Sequence, residues 1–199
     1  MSSNLIHVLD ITFETDLEPK KGRILISDPF IGDEYFERSV VYLCEHSKEG
    51  SFGFVLNKYV EIEINELNPD FPEIKSKLSL GGPVETESLY FLHTLGNELN
   101  ESIELKNGIY IGGDFDQLTK VIKDSHFENN QIRFFLGYSG WDPEQLKYEI
   151  EDNVWIVAEV DNIEEIMNTK MDDPWKYFIS KLGKKFELYT TFPSNPSDN

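Results

Sequence analysis

Cys44 and His46 form the residue pair in this sequence best suited to nucleophilic catalysis. On a continuous strand the two residues would share one face, with Cα atoms roughly 6.5 Å apart. An imidazole beside a thiol can lower the pKa of that thiol and so produce a nucleophilic thiolate. That separation is long for a direct hydrogen bond, however, and the sequence indicates no third group to orient the histidine. We therefore favour a buried thiol beside a loop histidine and keep the cysteine nucleophile as the alternative.

His93, Arg38 and Asn57 lie at the ends of apolar runs that predict strands. We interpret His93 as a histidine satisfied by nearby backbone, the alternative being a pocket residue acting with Arg38 or His46. Arg38 and Asn57 are either buried and paired or directed into a cleft. Tetrahedral metal sites need three or four ligands, which the spacing of histidine and cysteine does not supply. We therefore expect neither a metal nor a cofactor.

Two motifs that contain glycine are candidates for a ligand or partner site. In Gly81-Gly82-Pro83, consecutive N–H groups could form a small anion-binding nest. A sharp bend after a strand is the favoured interpretation, because Pro83 has no N–H and restricts Gly82 to an extended backbone. The second motif pairs Gly140 with Trp141, which predicts a tryptophan anchored in the core. The alternative is that Trp141 forms the wall of a ligand pocket or partner groove, since tryptophan is enriched at interface hot spots.

Strand patterns dominate the chain. Ser39–Cys44 and Phe52–Asn57 are apolar on both faces, which indicates central strands covered on both sides. The short polar link between them, 45–51, predicts a hairpin. Further strands are predicted at Arg23–Ser27, Glu61–Ile64, Lys77–Leu80, Leu89–Leu92, Gly108–Ile111, Ile132–Leu136, Val154–Ala158 and Phe186–Tyr189.

Helices are fewer and are delimited by capping residues. Asp114 and Asp142 are predicted to cap helices 115–123 and 143–150, each with a glutamine three residues later. A short helix is predicted from Asn162 to Met167, and Asp173-Pro174 begins a last helix that ends at Gly183. Many strands with few, mostly late helices predict an α+β domain. We assign an N-terminal arm to residues 1–21, this single domain to 22–192 and an irregular tail to 193–199.

Composition and charge limit the classes of function. The 199 residues include 18 Lys+Arg and 37 Asp+Glu, for a net charge of −19. Such a field repels nucleic acid and anionic membranes, which bind proteins chiefly through basic patches. The acidic excess is greatest from Asp142 to Asp173, which we interpret as a solvated face; a basic partner protein or a divalent cation are the alternatives. The sequence has one cysteine, no apolar run long enough to span a membrane and no signal-peptide pattern. These features predict a cytoplasmic protein without a membrane contact.

Several motifs occur together in a specific order. They are FERSVVYLCEH (36–46), GSFGFVLNK (50–58), LGGPV (80–84), FLHT (91–94) and GYSGW (137–141), followed by Gln145-Leu146, Glu149-Ile150 and Trp155. In this order, and over residues 22–183, the chain resembles the YqgE/AlgH family of bacterial proteins, also called UPF0301. It departs from the family pattern at Glu144, where glycine is usual, and at Tyr59, where proline often follows Asn-Lys.

The resemblance implies an α+β fold in which a mixed, mostly antiparallel sheet is bent and split into a pseudo-barrel flanked by a few helices. It implies a bacterial cytosolic source and carries a label as transcriptional regulator that comes from genetic association with alginate production. It implies no catalytic residue. Glu144 weakens the idea that a glycine at this position admits a ligand.

Three classes of function remain from the sequence. We favour a non-enzymatic regulatory or protein-interaction module, with a candidate pocket or partner surface near Gly81–Pro83, His93 and Trp141. The second class is an enzyme of unknown reaction with a small-molecule pocket near Cys44, His46 and His93. The third is a direct DNA-binding regulator, which the net charge and the lack of a basic recognition helix disfavour. Any influence on transcription is then expected to pass through another protein.

Overall fold

The computed structural model describes residues 16–74, 76–124 and 128–191. Residues 1–15 of the predicted N-terminal arm and the whole predicted tail, 193–199, lie outside the described residues.

The described chain contains ten strands, which include all but two of the predicted ones. They are β1 (Ile24–Ser27), β2 (Val40–Ser47), β3 (Gly50–Val55), β4 (Tyr59–Val60), β5 (Leu78–Leu80), β6 (Val84–His93), β7 (Ile103–Lys106), β8 (Ile109–Ile111), β9 (Ile132–Trp141) and β10 (Trp155–Ala158).

These strands form one sheet in the order β10-β1-β2-β3-β9-β6-β8-β7, with antiparallel neighbours throughout. β5 pairs in parallel with β9 and antiparallel with β4. The predicted hairpin of β2 and β3 is confirmed, as are the α+β class and the mixed, mostly antiparallel sheet.

The sheet is open, which corrects the expected closure into a pseudo-barrel. Within the described chain no backbone pairing joins the two terminal strands, β10 and β7. Side chains span the gap between them instead. Glu159, directly after β10, contacts Arg23 at 2.6 Å and Lys106 of β7 at 3.0 Å. An ion-pair bridge therefore takes the place of the strand pairing that would close a barrel.

The sheet divides at Gly81. β9 pairs with β3 over Ser139–Trp141 but with β5 over Phe134–Leu136, so the two partners share one edge of β9. Gly81 lies where they meet: its N–H donates to Leu136 O at 2.7 Å, and its carbonyl accepts from Val55 N at 2.8 Å. A Cβ atom on the next residue, Gly82, would lie 1.9 Å from the carbonyl carbon of Tyr138. The glycine pair therefore serves a close crossing of two backbones, and the Gly81 N–H is not available to an anion.

Core packing explains the apolar runs within β1, β2 and β3. One face packs on a cluster that includes Ile24, Tyr42 and Phe54, together with buried residues of the last helices. The opposite face, with Leu25 and Val41 among its members, packs on another cluster. The prediction of strands covered on both sides is confirmed. A further cluster, with Leu118 and Phe134, fills the space between β5, β6, β9 and a helix.

The described helices are short. They are α1 (Ile64–Leu67), α2 (Phe115–Asp124), α3 (Gln145–Glu151), α4 (Glu164–Met167), α5 (Pro174–Lys181) and α6 (Lys184–Glu187). Asp173 caps α5 as predicted, since its carboxylate accepts from Lys176 N at 2.9 Å. Asp114 likewise accepts from the backbone N–H of Asp116 and Gln117 at the start of α2.

Two predicted strands are wrong, and two strands of the described chain, β4 and β7, were not predicted. Glu61–Ile64 ends in α1, where Glu63 and Glu66 form a reciprocal capping box. Phe186–Tyr189 belongs to α6 and to the 3₁₀ turn that follows it. β7 was not predicted; its outer residues Ile103 and Glu104 are exposed.

The helix predicted at 143–150 begins later, at Gln145. Its N-cap is Glu144, with φ of 64°, in the left-handed region that favours glycine. Gln145 still provides half of the predicted capping box, because its side-chain oxygen accepts from Asp142 N at 2.9 Å. A glycine at position 144 would therefore suit this backbone without any ligand.

A pH-dependent effect on stability is expected at the buried carboxyl group of Asp28. Burial raises the pKa of Asp28 from 3.8 to about 6, although its carboxylate accepts a hydrogen bond from Phe30 N. The folded state therefore binds this proton more tightly than the unfolded state, and stability falls as pH rises from about 4 to 6. Asp28→Asn keeps the acceptor and should raise the free energy of unfolding at pH 8 by up to ~3 kcal/mol.

Urea unfolding of the unsubstituted protein and of Asp28→Asn, each at pH 8 and at pH 4, checks this prediction. The gain in the free energy of unfolding caused by Asp28→Asn should almost vanish at pH 4. Asp124→Asn, which changes an exposed carboxylate, should have the same effect on stability at both pH values. An equal effect at both pH values would contradict the argument.

Candidate functional site

The residues proposed from the sequence fall into separate parts of the molecule. Gly140 and Trp141 line a surface cavity. Arg38 and Asn57 line a second cavity. Gly81 and Gly82 are buried where the sheet divides, and Pro83 directly precedes Val84 of the first cavity. Cys44 and His93 are buried and line neither cavity.

The first cavity has a volume of about 560 Å³ and lies between the β2–β3 hairpin and strands β6 and β9. We call it the aromatic–acidic cavity. It is lined by Glu45, Ser47, Glu49, Gly50, Ser51, Phe52, Val84, Tyr90, Tyr138, Gly140, Trp141 and Asp142.

Three half-buried aromatic rings form one wall of the cavity. The Tyr138 ring contacts Phe52 at a centroid distance of 6.0 Å and Tyr90 at 5.7 Å, edge to face in both cases. The Tyr90 hydroxyl donates to Glu85, and burial together with this hydrogen bond raises the pKa of Tyr90 to about 12. The phenol is therefore held neutral and fixed in position.

Carboxylates form the rest of the cavity's charged lining. Glu45, Glu49 and Asp142 are all exposed, and no lysine, arginine or histidine is among the described lining residues. A cavity lined by aromatic rings and three negative charges suits a cationic group. Among its described lining residues there is no basic side chain that would hold an anion.

Helix α3 holds the Trp141 side of the cavity through Glu149. One carboxylate oxygen of Glu149 accepts from the indole N–H groups of Trp141 and Trp155, each at 2.7 Å. The other accepts from the Gln145 side chain at 2.8 Å. Trp141 is thus both a core anchor, 6% exposed, and part of the cavity wall. The two interpretations of this tryptophan are compatible.

Cys44 is buried and His46 is exposed, although the two residues lie on the same strand. The pairing of β2 with β3 shifts register between Leu43 and Glu45, so a β-bulge interrupts the regular alternation of faces. Cys44 is buried, and burial raises the pKa of its thiol, which opposes thiolate formation. His46 is exposed, with its Nδ1 2.7 Å from the Ser51 hydroxyl.

His93 is fully buried, and both of its ring nitrogens have hydrogen-bond partners nearby, in agreement with the favoured interpretation. Its Nε2 lies 3.0 Å from Gly112 O, and its Nδ1 accepts from Leu95 N at 3.3 Å. Its ring stacks on Tyr110. Burial lowers the pKa of His93, so the ring is neutral at pH 7. No hydrogen bond or ring contact within the described residues links His93 to Arg38 or His46.

Arg38 and Asn57 are joined to each other and to the neighbouring strand. Asn57 accepts from Val40 N at 2.9 Å and donates to Arg38 O at 2.7 Å. Arg38 has φ of 49°, and its guanidinium lies 5.1 Å from the centre of the Trp175 ring. The cavity beside them, about 380 Å³, is lined by both acidic and basic side chains. Asn57 therefore has a structural role, holding the left-handed turn at Arg38.

Arg133 is a buried charge that the sequence did not reveal. Its guanidinium donates to the carbonyls of Leu56 and Ile166, and its side chain is 1% exposed. It ties β9 to the end of β3 and to α4, which is a structural role.

The sequence did not indicate Glu45, Glu49, Phe52, Tyr90, Tyr138 or Asp142 as site residues, because their proximity depends on strand order. No group of three or more His, Cys, Asp or Glu residues in ranges 16–74, 76–124 and 128–191 could hold a metal ion. In the same ranges, no helix has the length and apolar character needed to cross a membrane.

Comparison with known proteins places these features in a family. The model of the AlgH-like family, DUF179, matches residues 24–187. A UPF0301 protein of Bacteroides thetaiotaomicron is 42% identical over 182 residues, covering 91% of this chain and 92% of that protein. A UPF0301 protein of Bacteroides fragilis is 43% identical with the same coverage.

Solved structures show the same fold. The crystal structure of a Corynebacterium diphtheriae protein superposes with a TM-score of 0.74 at 24% identity, covering 90% of this chain and 95% of that one. The solution structure of AlgH from Pseudomonas aeruginosa, a UPF0301 protein, gives a TM-score of 0.68 at 25% identity, with 90% and 98% covered. This chain belongs to the AlgH-like family, UPF0301.

Proposed function

We propose that this protein is a non-enzymatic regulatory module that binds a basic partner protein at the aromatic–acidic cavity. The observation that carries the proposal is the lining of that cavity, which combines three carboxylates with aromatic rings and has no basic side chain among the described residues. The net charge of −19 adds long-range attraction for a basic surface and speeds encounter with it.

The same charges favour a protein partner over nucleic acid. Phosphate backbones are bound mainly by lysine and arginine with release of counterions, and the cavity offers carboxylates in their place. We infer that any effect of this protein on transcription passes through its partner. The enzyme alternative has less support, because Cys44 is buried with a raised pKa and His93 is buried and neutral.

Photo-cross-linking in cells tests the proposed function. A benzophenone amino acid at Ser47, an exposed residue of the cavity, should give an adduct with one or a few basic proteins. The same amino acid at Lys120, exposed on α2, should not. Glu45→Gln combined with Glu49→Gln should reduce the adduct several-fold, because it removes two of the charges that attract the partner.

A matched control makes the same change of charge elsewhere. Glu101→Gln combined with Glu104→Gln alters two exposed carboxylates outside the cavity and should leave the adduct unchanged. Adducts with nucleic acid at Ser47, or an adduct independent of Glu45 and Glu49, would count against the proposal.

A further inference from the structure

The aromatic–acidic cavity combines two kinds of contact that few cations can use together. The rings of Phe52, Tyr90 and Tyr138 are half-buried, and Tyr138 contacts the other two. The carboxylates of Glu45, Glu49 and Asp142 line the same space. A suitable occupant must therefore pack flat against a ring and also donate several hydrogen bonds.

Gly140 leaves room beside the Tyr138 ring. A Cβ atom at position 140 would lie 3.2 Å from Cε2 of Tyr138, a contact that would push the ring or fill the space next to it. Gly140 is exposed and lies outside the left-handed region of backbone conformation. The missing side chain thus opens the cavity, and no special backbone conformation explains this glycine.

The guanidinium group matches both requirements better than an ammonium group does. It is planar, stacks on aromatic faces and offers five donors in a fork that fits carboxylates in pairs. It is also less strongly hydrated than the lysine ammonium, so moving it against the rings costs less. A volume of about 560 Å³ is within the range of pockets that enclose small ligands, and it admits one long side chain.

We propose that the aromatic–acidic cavity receives a single arginine side chain of the partner, stacked on the aromatic wall and hydrogen-bonded to the carboxylates. This inference rests on the proposed function, since it names the chemical group by which the basic partner is recognised. It makes Tyr138 and Gly140 residues that determine specificity, and Glu45, Glu49 and Asp142 residues that attract any cation.

Titration with three blocked pentapeptides tests the inference. Their sequence is glycine-serine-X-serine-glycine, in which X is arginine, lysine or the uncharged analogue citrulline. The arginine peptide should shift the backbone amide resonances of Gly50, Gly140 and Asp142 saturably. It should bind about fivefold more tightly than the lysine peptide, because the planar guanidinium stacks on the ring and donates in a fork, which an ammonium group cannot do. The citrulline peptide should cause no saturable shift.

Variants separate stacking from charge. Tyr138→Leu should remove the preference for arginine over lysine. Tyr148→Leu is the control: this tyrosine is 60% exposed on α3, and its variant should retain the preference. Gly140→Ala provides a second test if Tyr138→Leu does not fold, since the added methyl group should weaken arginine binding more than lysine binding.

The outcomes distinguish this inference from the proposed function. Equal binding of the arginine and lysine peptides, weakened for both by Glu45→Gln with Glu49→Gln, would overturn the arginine assignment and leave the basic-partner proposal standing. If neither cationic peptide shifted the cavity resonances, both proposals would be contradicted.

Discussion

Gly82→Ala is expected to prevent stable folding of this protein. The added Cβ atom would lie 1.9 Å from the carbonyl carbon of Tyr138, 2.0 Å from its oxygen and 2.1 Å from Ser139 N. These are backbone atoms of β9, so no side-chain rotation relieves the overlap. We expect a loss of more than ~4 kcal/mol in the free energy of unfolding. This loss is a large part of the free energy of unfolding of a typical domain. The yield of soluble protein and urea unfolding measure the effect.

Gly32→Ala is the control for this experiment. Gly32 has φ of 70°, and a Cβ atom at this position would have no heavy atom within 4 Å. Alanine there should cost only about 1–2 kcal/mol, from the left-handed backbone alone. If both variants lost a similar amount of free energy of unfolding, steric overlap at the division of the sheet would not be the cause of the effect of Gly82→Ala.

Glu149→Ala is expected to have the second largest effect. The carboxylate accepts from the indole groups of Trp141 and Trp155, which are 6% and 2% exposed. Its removal leaves two buried N–H donors without an acceptor and removes one of the contacts between α3 and the sheet, in addition to the packing of Leu146. Each orphaned donor costs ~1–3 kcal/mol, so we expect a loss of about 3 kcal/mol in total. Thermal unfolding gives the stability, and the two indole N–H resonances report directly on the lost hydrogen bonds.

Two further substitutions serve as controls for Glu149→Ala. Glu149→Gln retains an acceptor oxygen and should cost about 1 kcal/mol, the usual scale of one hydrogen bond. Glu151→Ala, at an exposed residue of the same helix, should change stability by less than ~0.5 kcal/mol. If Glu149→Gln were as damaging as Glu149→Ala, the charge of Glu149 would be the important property.

Local sequence patterns predicted the central strands well, because burial on both faces leaves a continuous apolar run such as Ser39–Cys44. Capping residues were also informative, as Asp173 shows. The wrong strands were short segments with ambiguous periodicity. Phe186 and Tyr189 are buried three residues apart, a helical spacing that a run of four residues does not distinguish from an irregular strand.

The candidate site depended on information that local patterns do not contain. Phe52, Tyr90 and Tyr138 meet because β3 and β6 flank the same strand, β9. No residue type or spacing within one segment encodes that order. Trp141 and Gly140 were identified because they belong to a dense motif. The carboxylates of the cavity were indistinguishable in the sequence from the many acids of an acidic surface.

The pairing of β1 with β10 has a consequence for how the chain folds during synthesis. Ile24 is paired with Ala158, so β1 is made well before one of its two neighbours exists. At roughly 5–20 residues per second, the ribosome needs about 7–27 s to make the intervening segment. Contacts this distant in sequence also slow the search for the native state. Until β10 emerges, strand β1, whose four residues are all buried in the folded protein, has one exposed edge. This interval is when a chaperone would protect the nascent protein most.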